Sequence, residues 1–272
     1  MRILKISFLG ILLAGGACQA MAAGAGAGTA PGDTLPKAEE LIRKFAARSL
    51  GEDQQKRDER YGFTEHRIHD ELDKNGNIKD HRDRGYRKVE LEGMPYLRWI
   101  AKDGKPLSGD DLKQEHDDEQ KFLEEAKKKK KDSGDDNVKL DEQFLSNFRF
   151  EVIGKETING RPAYIVTVLP KSRNLSARNS GEKLFTHMQG KVWVDVEDLG
   201  MARADLHLTE PGTFYGILGS VRQLDLELSR VFVDNRVWLP ESTKFSVEAR
   251  KLLTPTHIRQ SSQYSDYQKL GQ

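Results

Sequence analysis

Apolar and polar residues alternate with a period of two along most of the chain. In the segment 192–208, every second residue from 192 to 196 is valine, and alanine and leucine alternate with polar residues after a turn at 197–200. This pattern predicts two half-buried strands joined by a short turn. Similar patterns predict further strands on both sides of a turn at 74–76 and at 94–101, 148–153, 163–169, 223–233, 237–240, 242–249 and 258–267.

One segment shows helical spacing instead. In TLPKAEELIRKFAARSL, residues 34–50, the apolar side chains of Leu41, Ile42 and Phe45 fall on one side of a helix, and Pro36 suits its first turn. The opposite side mixes acidic and basic residues. We therefore expect this amphipathic helix to pack on the sheet of its own domain rather than on a membrane.

A second predicted helix is nearly all charge. The sequence S-x-x-D at 108–111 is a capping box, and the helix that it opens extends to about residue 131 with a thin apolar edge. It belongs to a charged insertion at 106–147, which also contains a short predicted helix at 141–147. The lysine run at the end of the charged helix could contact anionic lipid head groups, but a solvated helix end beside neighbouring aspartates is the favoured interpretation.

The predicted elements indicate a mainly β (α+β) fold built on a curved antiparallel sheet. About ten strands would share one apolar face, whereas an amphipathic helix of about 16 residues covers only about 24 Å. A sheet that curls around so little helical cover leaves an apolar groove open to a ligand. Alternatively, the sheet closes on itself and fills its interior with its own side chains.

The start of the chain has the order of a secretory signal peptide. Arg2 and Lys5 precede an apolar run at 6–14, and Ala20-Met21-Ala22 fits a cleavage site. We therefore assign residues 1–22 to a signal peptide. Export to the periplasm is the expectation.

Composition divides the rest of the chain into a linker and one domain. Residues 23–33 are rich in glycine and alanine and predict a flexible linker, and 34–272 are expected to form a single domain that includes the insertion at 106–147. Cys18 is the only cysteine of the chain. Its acylation, which would anchor the protein to the outer membrane, is the less favoured alternative because the preceding Gly15-Gly16-Ala17 forms a poor lipoprotein box.

The charge balance argues against nucleic acid as a partner. The chain has 44 Lys and Arg residues against 43 Asp and Glu residues, for a net charge of +1. A nucleic-acid-binding surface would need a clustered basic excess. Because the apolar runs that follow the signal segment are short, we expect peripheral membrane contact at most.

The chain lacks the local motifs of common catalytic and metal sites. It contains no G-x-S-x-G, no P-loop, no H-E-x-x-H and no C-x-x-C, and no pair of carboxylates stands out as acid and base. His66 and His69 lie three apart on a predicted strand, which sends them to opposite faces. We expect no catalytic residue, no metal site and no cofactor. A hydrolase with its residues on separate strands is the less favoured alternative.

Several segments together resemble a known superfamily. The strongest element is the hairpin FRFEVIGKETINGRPAYIVTVLPK followed by GKVWVDVEDLGMARADL, and DKNGNIK and YLRWIAKDGKPLS extend the likeness. The chain resembles bacterial outer-membrane lipoprotein-sorting-like proteins. This is the superfamily of the periplasmic lipoprotein carrier and of the envelope-stress sensor that regulates an anti-sigma factor, and the likeness is to its uncharacterised members.

The resemblance implies a fold and a class of ligand. It implies an antiparallel half-barrel with helices lying in its mouth and a hydrophobic cavity that binds acyl chains or lipid-modified peptides. The charged insertion at 106–147 has no place in a compact carrier, and we expect it to lie over the mouth. The resemblance is one of strand pattern, so no individual ligand-contacting residue is carried over.

The candidate groove residues come from the apolar alternation itself. They are Trp99, Val192, Val194, Leu206, Leu224 and Leu226. Ordinary core packing is the alternative role for each of them, because core and groove demand the same side chains. The functional hypothesis is a non-enzymatic binder or carrier of lipid or lipid-modified protein in the cell envelope, and the alternative is an envelope sensor or adaptor that binds a protein partner.

Overall fold

The computed structural model describes most of the predicted domain. The described residues are 35–50, 60–128, 138–214, 219–251 and 254–270. The predicted signal peptide, the linker and Cys18 lie outside these residues and stay predictions. Within the described ranges, no helix combines the length and the apolar composition that crossing a membrane requires.

Twelve strands of the described chain form one curved, open, antiparallel sheet. They are β1 (Tyr61–Leu72), β2 (Ile78–Leu91), β3 (Met94–Lys102), β4 (Lys105–Pro106), β5 (Phe148–Ile158), β6 (Arg161–Pro170), β7 (Met188–Asp195), β8 (Met201–Leu208), β9 (Gly212–Phe214), β10 (Gly219–Val233), β11 (Val237–Lys251) and β12 (Thr254–Lys269). Their order across the sheet is β4-β3-β2-β1-β12-β11-β10-β8-β7-β6-β5, and β9 pairs with β10. The mainly β, half-barrel fold predicted from the sequence is confirmed.

The described chain contains few helices. They are α1 (Ala38–Leu50), α2 (Gly109–Lys128), α3 (Glu142–Leu145) and α4 (Ser180–Phe185). The amphipathic helix α1 begins four residues later than the predicted range, after Pro36 and Lys37. The short helix α3 begins after Asp141, whose side chain accepts the backbone N–H of Phe144 as an N-cap.

Turn residues set the strand register between β5 and β6. At the tip of the β5–β6 hairpin, Asn159 and Gly160 have φ values of 49° and 79°, and Ile158 lies opposite Arg161. Left-handed residues at both central positions match the right-handed twist of the flanking strands. The strand alternation therefore continues unbroken from the turn into β6, which places Val166 and Tyr164 on one face.

Two helices, α1 and α4, pack on the same face of the sheet. We call the face on which α1 and α4 lie the inner face. Beneath α1 is a buried cluster of Leu41, Ile42, Phe45, Val166 and Val194. Beneath α4 is a second buried cluster of Leu184, Met188, Val221, Leu224, Val247 and Ala249.

The charged helix α2 lies at the β3 edge of the sheet. The rings of Phe122 and Tyr96 are 4.9 Å apart, and the Arg98 guanidinium donates to Glu119 at 3.1 Å. Trp99 lies in one cross-strand row with Tyr86, Glu65 and Tyr264 on the inner face. Tyr96 and Arg98 alternate with Trp99 along β3, so they point to the opposite, outer face. Helix α2 therefore covers the outer face at this edge.

Candidate functional site

All six predicted groove residues lie on the inner face, and five of them lie on the strands β7, β8 and β10. Val192 and Val194 are on β7, Leu206 is on β8, and Leu224 and Leu226 are on β10. Leu206 lies directly opposite Leu226 across the β8–β10 pair. We call the part of the inner face that β5 to β11 form the apolar half.

Helix α1 covers one side of the apolar half. Its residues Leu41, Ile42 and Phe45 pack on Val166 and Val194, and Val194 is 0% exposed. The helical conformation makes this contact possible, because it places the three apolar residues of α1 on one side, facing the sheet. Val194 is therefore a core residue beneath α1.

Helix α4 covers the other side. Leu184 packs on Leu224, which is 4% exposed. The helix is fixed at its start: the Asn179 side chain caps it, and the buried Glu182 carboxylate accepts the Arg178 backbone N–H at 2.9 Å and its Nε at 2.8 Å. Burial alone would raise the pKa of Glu182, but these hydrogen bonds outweigh it and hold the pKa below its ordinary value.

The remaining predicted residues of the apolar half are only partly buried. Val192 lies at the margin of the cluster beneath α1, and Leu206 and Leu226 lie at the margin of the cluster beneath α4. The two margins are adjacent rows of the sheet, since Val192 lies opposite Ala204 and Leu206 lies opposite Gly190. An apolar strip therefore remains partly open between the two helices.

Trp99 lies apart from the other five residues. It is on β3, five strands from β10, and is 5% exposed. Its indole Nε1 donates to the Ala101 carbonyl at 2.7 Å, and the Arg84 guanidinium carbon lies 4.2 Å from the ring centroid. The structure therefore places Trp99 on the inner face but away from the apolar strip.

Around Trp99 the inner face is charged and aromatic, which the sequence analysis missed. Following the register from β12 to β3, Tyr264, Glu65, Tyr86 and Trp99 form one row, and Ser262, Arg67, Arg84 and Lys102 form the next. We call this region, formed by β12, β1, β2 and β3, the polar half. Strands β1 and β2 carry charged residues on both faces, so the alternation of their residues did not predict which face of these strands is the inner one.

A buried ion pair organises the polar half. Glu65 is 0% exposed and accepts Arg67 Nε and Nη2, each at 2.7 Å, while the Arg67 guanidinium carbon lies 4.6 Å from the Tyr86 ring centroid. Burial opposes the charge on Arg67, but Glu65 outweighs burial and raises the pKa of Arg67. Burial, with the negative Glu65 beside it, raises the pKa of Tyr264. Glu65 and Arg67 are therefore a fixed ion pair on the inner face.

A cleft of about 620 Å³ lies between β3 and α2. Tyr96 Oη donates to Glu115 Oε1 at 2.8 Å beside it, and burial raises the pKa of both groups. The apolar residues that line the cleft are Trp99, Ile100, Pro106, Leu107 and Leu112. The polar residues that line it include Arg98, Glu115, His116 and Glu119. The cleft could accept an apolar side chain of a partner, framed by charged groups.

Metal-ligating residues are dispersed in the described part of the chain. No group of three His, Cys, Asp or Glu residues there is placed to hold a metal ion. His66 and His69 point to opposite faces of β1, as their spacing predicts: His66 Nε2 lies 2.7 Å from Asp83, and His69 Nδ1 lies 3.2 Å from Gln260. These histidines are engaged in cross-strand hydrogen bonds.

The comparisons with known proteins gave matches at the level of structure. No family model matches the chain, and no curated protein matches it. A LolA superfamily protein from Nitrosomonas europaea aligns with 9% identity and a TM-score of 0.31, covering 88% of this chain and 95% of that one. A putative outer membrane lipoprotein-sorting protein domain from Vibrio parahaemolyticus aligns with 11% identity and a TM-score of 0.35, covering 86% and 92%.

The third structure is a complex. The MucA/MucB complex of Pseudomonas aeruginosa aligns with 9% identity and a TM-score of 0.25, covering 86% of this chain and 99% of that one. The second of these structures carries the name of the lipoprotein-sorting group that the sequence segments resemble. At such identities and TM-scores, no residue role or function is transferred from them to this chain.

Proposed function

We propose that this chain is a non-enzymatic binder or carrier of a lipid, or of a lipid-modified protein, in the periplasm. The observation that carries the proposal is the partly open apolar strip formed by Val192, Leu206 and Leu226 on the inner face. Burial of hydrocarbon on this strip would contribute about 25 cal/mol per Å². An acyl chain needs no dedicated polar partner there. The location rests on the predicted signal peptide.

Substitution of Leu226 tests the strip. We expect Leu226→Glu to lower the affinity for a pyrene-labelled fatty alcohol at least about tenfold, because a carboxylate cannot be buried beside hydrocarbon without cost. A neutral probe is chosen so that charge repulsion does not contribute. Binding is measured by pyrene fluorescence titration, and native mass spectrometry of the protein purified from the periplasm identifies any co-purified lipid.

Leu169→Glu is the matched control. Leu169 is 40% exposed on β6 and lies opposite Arg149, on the outer face. The same substitution there leaves the strip intact, so alcohol binding should be unchanged, and far-UV circular dichroism checks that both variants fold. A folded wild-type protein that takes up no alcohol and carries no lipid would contradict the proposal. Turnover of an ester or glycoside substrate panel would contradict its non-enzymatic part.

A second candidate function is the binding of an envelope protein partner. Most side chains of α2 are exposed, including Lys113, Asp117, Asp118 and Glu124, and the helix frames the cleft over β3. A charged helix that is attached through a few contacts offers a surface for a protein rather than for hydrocarbon. This candidate and the carrier function use different faces of the sheet, so one chain can combine them.

A further inference from the structure

Three cations face one another across the polar half. In the β1–β2 register Arg67 lies opposite Arg84, and in the β2–β3 register Arg84 lies opposite Lys102. Like charges placed directly opposite on neighbouring strands destabilise a sheet. Such a row therefore requires counter-charges, either from the chain or from a ligand.

The chain supplies counter-charges to the two outer members of the row. Arg67 is held by the bidentate contact with Glu65, and Lys102 Nζ lies 2.9 Å from Asp111 Oδ2 on α2. Arg82, the next cation along β2, contacts Glu71 at 3.1 Å and also Asp80. The acidic groups of the polar half are thus already engaged.

Arg84 has no carboxylate partner among the described residues. Its guanidinium is held over the Trp99 ring at 4.2 Å, and its side chain remains partly exposed. A guanidinium carries five N–H donors in a planar fork that fits a carboxylate or a phosphate bidentately. Stacking on a buried indole fixes the guanidinium in place, which lowers the entropy lost when an anion binds.

We propose that Arg84 binds the anionic headgroup, a carboxylate or a phosphate, of an amphiphile whose hydrocarbon chain lies on the apolar half. This inference rests on the proposed lipid-binding function and adds the class of headgroup. The row Leu228, Thr243, Ser262, Arg67 and Arg84 connects the two halves over four strand spacings, about 19 Å along the sheet. The row gives the distance between the two halves and not an open channel, because Leu228 and Ser262 in it are each only 2% exposed. The hydrocarbon chain would therefore pass over this row and not along the floor of the sheet.

The experiment compares two probes that share one tail. A pyrene-labelled fatty acid and the matching fatty alcohol are titrated into the wild type and into Arg84→Gln, at a pH where the acid is ionised. We expect the wild type to bind the acid about tenfold or more tightly than the alcohol, because a hydrogen-bonded charge pair contributes that much. Arg84→Gln should lose this preference and leave alcohol binding unchanged.

Two further variants separate charge, geometry and folding. Arg84→Lys keeps the charge without the planar fork and should retain only part of the preference. Arg87→Gln is the matched control on the same strand, because Arg87 is exposed and faces the outer side opposite Arg98. It should bind both probes like the wild type. Thermal melting by circular dichroism verifies that all variants are folded.

The outcomes distinguish this inference from the function on which it rests. Equal wild-type affinities for acid and alcohol, or an unchanged preference in folded Arg84→Gln, overturn the headgroup site and leave lipid binding intact. Failure of the wild type to bind either probe overturns both. Inorganic phosphate serves as a competitor: displacement of the acid but not of the alcohol supports the site. Tight binding of phosphate without binding of the alcohol identifies a soluble anion as the ligand and overturns the inference.

Discussion

Asp195, at the end of β7, holds the β7–β8 turn together. It is 0% exposed, accepts Arg161 Nε and Nη2 at 2.8 and 2.9 Å, and accepts the backbone N–H groups of Glu197 and Asp198 at 3.0 and 2.8 Å. Burial alone would raise the pKa of Asp195, but the hydrogen bonds from Arg161 and from the turn lower it. The carboxylate therefore fixes both the turn and the neighbouring strand β6.

We predict that Asp195→Asn lowers the free energy of unfolding by about 2 kcal/mol, because it removes the charge from a buried, hydrogen-bonded pair. Urea unfolding followed by circular dichroism measures the loss. Glu197→Gln is the control: Glu197 contacts the same Arg161 at 2.9 Å, but its side chain is 66% exposed. Glu197→Gln should lower the free energy of unfolding by less than about 1 kcal/mol. Equal losses in the two variants would contradict the role given to Asp195.

At the scale of single residues, the alternation predicted which side chains share one face of the sheet, but not which of them the helices bury. Val192, Val194, Leu206, Leu224 and Leu226 share the inner face as their alternation indicates. Which of them are sealed depends on where α1 and α4 lie, and contacts between elements distant in sequence leave no periodic signal. Arg84 was missed for a similar reason, since its neighbours come from β1 and β3 and meet only when the strand register is fixed.

At the scale of elements, α2 is separable from the apolar strip. It is held on the outer face at the β3 edge by Tyr96 and Arg98, whereas the strip lies on the inner face of β7, β8 and β10. We predict that replacing residues 110–136 by a short Gly-Ser linker leaves fatty-alcohol binding unchanged and abolishes crosslinking to any envelope protein partner. Fluorescence titration and in-cell crosslinking measure the two effects.

A charge-reversal variant serves as control for this deletion. Asp117→Lys combined with Asp118→Lys keeps the helix but changes its exposed surface. If a partner binds α2 through its acidic side chains, this variant should lose crosslinking to the partner, as the deletion does. Loss of alcohol binding in a folded deletion variant would show instead that α2 belongs to the lipid site.

Elements were predicted where local chemistry specifies them. The amphipathic stripe of α1, the Asp141 cap of α3 and the Asn159-Gly160 turn each encode their structure within a few residues. The short strands β4 and β9 were not predicted, because two or three residues show no periodicity. They form only because a neighbouring strand offers hydrogen-bonding groups.

At the scale of the whole molecule, stability should fall at both ends of the pH range. The pKa values of Asp195 and Glu182 are lowered from ordinary values of 3.8 and 4.5, so the stability they contribute is present above about pH 5 and is lost as pH falls. Burial raises the pKa values of Tyr264 and Tyr267 above 10.0, so their contribution is lost as pH rises past about 10. Glu115, whose pKa burial raises, opposes the acid loss.

Urea midpoints measured across this range check the prediction. Asp195→Asn should show a shallower loss of stability on the acid side, because the variant lacks one of the carboxylates that must be protonated. The alkaline side should be the same in both proteins. A wild-type midpoint that does not fall between about pH 5 and pH 3 would contradict the assignment.

The sheet order also has a consequence for how the molecule is made. The strand nearest the start of the domain, β1, pairs along its length with the final strand, β12, in the middle of the sheet. Until β12 has been synthesised, the strands can form only two separate antiparallel sheets, β1 to β4 and β5 to β11. Strand β12 joins the charged sheet β1 to β4 to the apolar sheet β5 to β11. A chain truncated before β12 therefore has no continuous inner face on which an amphiphile with a charged headgroup and a hydrocarbon tail can lie.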